Sequence, residues 1–265
     1  MSNQGKWALI TGASSGIGYE LAKLFAADKF NLVIVGRNKS ELEAKATEFR
    51  ASHIEVVCFE ADLSKRDQVF DFCNEVTSKG YRIDTLVNDA GQGAYGLFQD
   101  NALDRELDII DLNIASLTIL TKHFVKEMVA RKEGKILNLA SVASKAPGPW
   151  QAVYHATKAY VLSFSEAIRE ELKASNVTVT ALMPGATDTD FFNKAQMLNS
   201  KVVQDKGSLS DPAEVAKDGY DALMAGSDKV VSGFKNKAQV AMGNLTPDST
   251  QAHIFNEMQK PVDDR

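Results

Sequence analysis

Residues 11–22, TGASSGIGYELA, follow the apolar run Trp7–Thr11 and open a stretch with helical spacing. The run satisfies two motifs at once. Gly12, Ser14 and Gly16 spell G-x-S-x-G, the turn that carries the nucleophile of serine hydrolases. Gly12, Gly16 and Gly18 spell a glycine-rich turn whose backbone can close on a pyrophosphate, with Ser14 and Ser15 adding hydroxyl donors. The second reading accounts for all three glycines, which allow a tight turn, close approach of the backbone, and close packing of the helix. A helix starting near Gly16 aims its free amides and positive end at a phosphate. The hydrolase reading needs an oxyanion loop upstream and an acid and histidine in order downstream. Too few residues precede Gly12 for that loop, and neither His155 nor His253 follows a strand with an acid before it.

Outward from this turn, short β-branched runs alternate with longer helical patterns. Strands are expected at 7–11, 32–36, 55–59, 85–88, 135–140, 178–183 and 229–232, and helices at 16–28, 39–50, 66–79, 103–131, 153–174 and 212–225. Such alternation predicts one doubly wound α/β domain over 1–265, a parallel sheet of about seven strands with helices on both faces. Segment 186–210 mixes Phe191, Phe192 and Met197 with polar residues after the sixth strand. It is expected to overhang the crevice as a substrate lid, with Gly185 as its hinge. The tail 235–265 has weak periodicity, and its last residues are expected to fray.

The bulk properties narrow the function. A formal net charge of −5 with 44% hydrophobic residues argues against a nucleic-acid partner. No secretory signal opens the chain, and its apolar runs are too short to cross a membrane, so a cytoplasmic protein is expected. Cys58, Cys73 and the four histidines make no metal-ligand spacing, and the thiols read as small core residues.

A second constellation lies downstream. Tyr154 and Lys158 are four residues apart on one helical face, and Ser141 ends the strand before them. A tyrosine with its ordinary pKa near 10 is a poor proton donor at neutral pH, and a neighbouring ammonium lowers that value.

Together these motifs resemble the short-chain dehydrogenase/reductase family. TGASSGIG resembles its cofactor turn, Tyr154-x-x-x-Lys158 its catalytic pair, and Ser141 stands thirteen positions before Tyr154. Asn113 in DLNIASL, LVNDAG at 86–91 and MPGATDTDFF at 183–192 resemble further family motifs, with Asp89 where the family has a second asparagine. The resemblance covers about residues 5–232. It implies an oxidoreductase moving hydride between a nicotinamide cofactor and a carbonyl or secondary alcohol. Tyr154 would give a proton to the carbonyl oxygen and Lys158 would lower its pKa and hold the nicotinamide ribose. Ser141 would hold the substrate oxygen, and Asn113 would anchor a water relaying protons to Lys158. Gly12, Ser14, Ser15, Gly16, Ile17 and Gly18 would cradle the pyrophosphate, while Asp62 with Leu63 would meet the adenine. Asn88, Ala90 and Gly91 would line the adenosine side, and Pro184, Gly185 and Thr187 would face the nicotinamide. Asp89 is expected to affect local stability rather than activity. The family's habit of pairing through long helices implies a homodimer or homotetramer.

The second strand ends in Gly36-Arg37, where an NAD-selective site carries Asp or Glu. With no carboxylate there and Arg37 able to fork onto a 2′-phosphate, NADP(H) is expected over NAD(H). Gln92, Phe98, Ala143, Trp150 and Phe191–Phe192 are expected to form an apolar mouth for the substrate. The alternatives are a non-catalytic nucleotide-binding regulator on the same fold and a serine hydrolase using Ser14.

Overall fold

The first two strands set the frame. In β1 (Trp7–Thr11) and β2 (Asn31–Gly36), Ala8–Thr11 and Leu32–Val35 are buried without interruption. Unbroken apolar runs of this kind belong to parallel strands covered on both faces. With β3 (Val56–Glu60), β4 (Ile83–Asn88), β5 (Gly134–Leu139), β6 (Val177–Met183) and β7 (Lys229–Val231) they form one sheet. Its order is β3-β2-β1-β4-β5-β6-β7, parallel throughout. The chain winds outward from β1 to β3, then returns to the other side of β1 and winds outward again. A crevice opens where the direction reverses, beyond the carboxyl ends of β1 and β4. The computed structural model describes residues 3–205, 207, 209–243 and 245–262.

Helices cover both faces, as expected. On one face α1 (Gly16–Ala27), α2 (Lys39–Arg50) and α9 (Pro212–Ala225) bury Leu21, Phe25, Leu42, Phe49, Val215 and Leu223 against the sheet. On the other, α3 (Arg66–Ser78) and α5 (Leu117–Arg131) bury Val69, Phe72, Cys73, Leu120, Phe124 and Met128. Cys73 is thus a core residue. Cys58 is partly buried, and burial pushes its thiol up to about 11. Helix ends follow local chemistry. Asp211 caps α9 by accepting from the Ala213 amide at 2.8 Å, Pro212 takes the first position, and Gly226 ends it with φ +69°.

Two expectations change. The stretch 103–131 is not one helix: α4 (Leu103–Ile110) runs into a π-helical turn, Asp111–Ser116, before α5. The tail is folded into α10 (Phe234–Gly243) and α11 (Asp248–Gln259). Beyond α11, the Lys201 amide donates to Lys260 O at 3.1 Å and the Val262 amide to Asn199 O at 2.8 Å, which ties the tail to the 186–210 segment. The expected fraying beyond Val262 lies outside the described residues.

That segment carries two short helices, α7 (Phe191–Lys194) and α8 (Lys201–Gln204). Phe192, Ala195 and Met197 are buried in a small core with Tyr95, Val202 and Leu209. Phe192 is therefore buried, despite its setting among polar residues. Gly185 has no positive φ among the described residues, and its missing side chain serves another purpose. A Cβ there would stand 2.5 Å from Asn236 Nδ2 at the start of α10. The glycine makes room for the Asn236 side chain.

Candidate active site

Each strand of the crevice hands its next residues to the site. Gly12 follows β1, Arg37 follows β2, Asp62 and Leu63 lie just beyond β3, and Ala90 and Gly91 follow β4. Ser141 lies beyond β5, and Pro184 and Gly185 follow β6. Together they line a cleft of about 1770 Å³.

The glycine turn forms the wall at one end. Gly12 (φ +75°) and Gly16 (φ +58°) occupy left-handed backbone that a side chain would strain. A Cβ on Gly12 would lie 2.5 Å from Asp89 Oδ2, and one on Gly18 2.5 Å from Gly12 O. Gly12 and Gly18 thus make room for each other and for the Asp89 carboxyl. Gly18 packs behind the cleft wall, whereas Ser14, Ser15, Gly16 and Ile17 line it. Ser15 caps α1 in extended backbone without a side-chain bond, and no acid occupies the first turn. The Gly16 and Ile17 amides there have no partner among the described residues and are free for an anion, while that of Gly18 is turned to Asp89. Arg37 is exposed beside this wall and has no carboxylate partner among the described residues. Asp62 is held in a turn, its Oδ1 accepting from the Ser64 amide at 3.0 Å and hydroxyl at 2.9 Å. A cradle of free amides, a missing side chain at each close approach and an unpaired guanidinium are what a dinucleotide phosphate requires.

At the other end α6 (Ala152–Glu171) carries Tyr154 and Lys158. Ser141 caps a short 3₁₀ turn, accepting from the Ala143 amide at 3.1 Å and donating to Pro184 O at 3.3 Å. Its hydroxyl is also in hydrogen-bonding reach of the Tyr154 phenol. Lys158 Nζ donates to Leu139 O at 2.7 Å and lies 5.8 Å from the Tyr154 ring centre. Burial raises the phenol to about 12, opposed by its bond with Ser141, and lowers the Lys158 ammonium to about 8, opposed by the Asp89 charge. The expected lowering of Tyr154 by Lys158 is therefore not what the chain alone produces. Loss of water around the ring is the largest cause, and the Ser141 hydroxyl is what opposes it.

Two expected site residues do not line the cleft with their side chains. Asn88 is buried in the sheet, where its Nδ2 donates to Thr121 Oγ1 at 3.1 Å and Asn138 Oδ1 at 2.9 Å, so its side chain does not line the cleft. Asn113 sits in the π-helical turn with its side chain buried. There Oδ1 accepts from the Gln92 amide at 3.0 Å, while Nδ2 donates to Gln92 O at 2.9 Å and Thr157 Oγ1 at 3.0 Å. Every polar atom of that amide is used, so it clamps the cleft wall to α6.

The expected mouth also changes. Phe98 is 66% exposed and outside the cleft. Trp150 supports the wall from behind, stacked on Tyr95 at 5.6 Å and donating from Nε1 to Asn256 Oδ1 at 3.1 Å. Gln92, Ala143, Phe191 and Phe192 do line it, and the Phe191 ring lies 5.1 Å from that of Tyr154. Sequence reasoning missed the contribution of α11, whose Phe255, Met258 and Gln259 close the cleft. His155 joins the two helices. Its Nδ1 lies 2.8 Å from Ala146 O, its Nε2 3.1 Å from Gln259 Nε2, and its ring packs on Phe255. With both nitrogens engaged, and burial holding it below its ordinary pKa, His155 is no partner for Ser14.

Comparison with known proteins agrees with this fold. The family model described as short chain dehydrogenase matches residues 6–198. The chain belongs to the short chain dehydrogenase family. It is therefore an oxidoreductase fold of the kind that binds a nicotinamide cofactor. It is 35% identical over 206 residues to human 17-beta-hydroxysteroid dehydrogenase type 3, covering 77% of this chain and 65% of that protein's length. A short-chain dehydrogenase from Sphingobium yanoikuyae, solved in complex with NADPH, superposes with a TM-score of 0.82 at 28% identity, covering 98% and 99% of the two chains. A 3-ketoacyl-(acyl-carrier-protein) reductase from Brucella melitensis, complexed with NADH, superposes with a TM-score of 0.76 at 30% identity, covering 88% and 99%.

Proposed function

We propose that this short chain dehydrogenase reduces carbonyl compounds, or oxidises the matching secondary alcohols, with NADP(H) and with Tyr154 as general acid and base. One observation carries the reading: Ser141, Tyr154 and Lys158 meet on the floor of the cleft that the glycine cradle and Arg37 open into. Bound in the cradle, the cofactor supplies or accepts the hydride. The chain's own groups handle the charge. Tyr154, protonated at neutral pH, donates its proton to the carbonyl oxygen. Ser141 donates a second hydrogen bond to that oxygen in exchange for its present one to Pro184 O. Lys158, charged below about pH 8, steadies the phenolate that remains. Burial raises the cost of that phenolate, which is why an ammonium one helical turn away matters. Asn113 acts at one remove, holding Gln92 and Thr157 and so the position of Lys158.

Relatives bind either NADPH or NADH by their descriptions, so the cofactor choice rests on this chain's own strand end. Arg37 is unpaired, and a charge-assisted bond to a 2′-phosphate contributes about 1.5–3 kcal/mol. The walls contributed by Ala143, Phe191, Phe192 and Met258 suit a carbonyl on a hydrophobic body. Human 17-beta-hydroxysteroid dehydrogenase type 3 and the Brucella reductase both carry names of ketone or alcohol chemistry, in line with that class. The segment 186–210 acts as the lid over this body. The protein works in the cytoplasm as a homodimer or homotetramer, and no helix of the described residues is long and apolar enough to cross a membrane. The test is a panel of ketones and aldehydes offered with NADPH and with NADH. Turnover of an apolar carbonyl favouring NADPH supports the reading. Binding of NADPH with no turnover on any carbonyl or alcohol would favour a nucleotide-binding regulator.

A further inference from the structure

Asp89 is the one family motif position where this chain departs, and the proposed chemistry does not use it. Its surroundings are unusual for a carboxylate. The side chain is wedged between the two ends of the glycine turn: Oδ2 lies where a Cβ on Gly12 would be, 2.5 Å away, and accepts from the Gly18 amide. Oδ1 is buried with no hydrogen-bond partner. The backbone leaves no freedom to swing out, because the Asp89 and Ala90 amides donate to Thr11 Oγ1 at 3.0 and 2.9 Å, and Thr11 in turn donates to Val87 O at 3.3 Å. Among the described residues, Lys158 on α6 is the charged group that acts on it. The end of β1, the first turn of α1 and the end of β4 contribute none.

An ionised carboxylate with one orphaned oxygen in such a place costs free energy that a neutral carboxyl does not. The same pocket backs the cradle in which the proposed cofactor's pyrophosphate rests, so bound phosphates add negative charge on the other side of the turn. We propose that Asp89 is a proton-binding group of the cofactor site, neutralised when the dinucleotide binds, so that binding draws a proton from solution. The carboxyl gains O–H in place of its charge. It then presents the donor that an asparagine offers permanently at this position. Burial raises Asp89 to about 7, with the Lys158 ammonium and the Gly18 amide opposing, so close to half the molecules are ionised near that pH. Lys158, at about 8, is already mostly charged there and takes up little. The affinity for the dinucleotide then falls as pH rises through 7, which an amide at 89 would prevent.

This inference rests on the cradle being a dinucleotide site, and the test separates the two. NADPH is titrated calorimetrically into the wild type and Asp89→Asn at pH 7 and pH 5, each in two buffers of different ionisation enthalpy. The difference between the proteins cancels protons exchanged by the 2′-phosphate at Arg37. Expected is an uptake at pH 7 larger by about half a proton in the wild type than in the variant, vanishing at pH 5. The wild-type Kd should weaken severalfold between pH 6 and pH 8, and that of Asp89→Asn should stay nearer constant. Should the variant fold poorly, the wild type is titrated with NADH, which has no 2′-phosphate, and must still show uptake at pH 7 that disappears at pH 5. Tight binding with equal proton uptake in both proteins overturns the role of Asp89 alone. No NADPH binding to either protein overturns the dinucleotide reading, and this inference with it.

Discussion

Replacing Tyr154 by Phe isolates one hydroxyl. The ring keeps its place, 5.1 Å from Phe191 and 6.1 Å from His155, so packing is retained. Removing the oxygen orphans nothing, because Ser141 still donates to Pro184 O at 3.3 Å and accepts from the Ala143 amide at 3.1 Å. The stability change should therefore stay within about 1 kcal/mol, the net worth of one neutral hydrogen bond. The catalytic loss should be far larger. A positioned general acid contributes roughly 10²–10⁴-fold, or about 2.7–5.4 kcal/mol at the barrier. Thermal melts, NADPH affinity and single-turnover oxidation of bound NADPH by the best carbonyl measure the three quantities separately. The expected pattern is near-native melting, near-native affinity and at least ~100-fold slower turnover. Turnover close to wild type would refute the assignment of Tyr154, whatever the other two readings gave.

Cofactor choice is tested by Gly36→Asp combined with Arg37→Ala. A Cβ at Gly36 would find its nearest neighbour, Leu42, at an ordinary 3.5 Å, so the strand end accepts the change, and preference should move to NADH. A double variant that still favours NADPH would show that Arg37 does not set the selectivity. Gly18→Ala should destabilise by roughly 1–3 kcal/mol, since its Cβ would press on Gly12 O, a backbone atom that cannot turn away. An unchanged melting temperature would remove the packing role given to that glycine. Hydrogen exchange tests the lid. Amides of 186–205 should exchange faster without ligand and slow with NADPH plus a substrate analogue, while equal and strong protection in both states would make the segment a fixed wall.

The alternation of strands and helices was legible because buried parallel strands must be apolar at nearly every position, as Leu32–Val35 are. The pairing of Tyr154 with Lys158 was legible because helical spacing alone puts them on one face. The π-helical turn was not. Its apolar spacing continues the helix on either side, and the burial of Asn113 depends on Gln92 and Thr157, which are distant in sequence. The helices of the tail were hidden for a related reason. Along α11 the buried positions include Gln251 and Gln259, which bond inward, while Ile254 and Met258 stay substantially exposed. A polar residue on the buried side erases the amphipathic signal that periodicity detects. The position of Asp89 was visible in the sequence, but its consequence was not. Only the structure shows that the carboxyl fills the space left by Gly12 and Gly18 with one oxygen unpartnered.

The central claim is that this cleft moves hydride between NADP(H) and a carbonyl carbon, and isotope transfer tests it directly. NADPH deuterated at the reactive nicotinamide carbon is incubated with the purified protein and an apolar ketone, and the products are analysed by mass spectrometry and NMR. Deuterium on the carbinol carbon of one alcohol enantiomer, formed in proportion to NADP and lost in Tyr154→Phe, is the predicted result. Bound NADPH that stays reduced beside every ketone and aldehyde offered, with no labelled alcohol, would contradict the account.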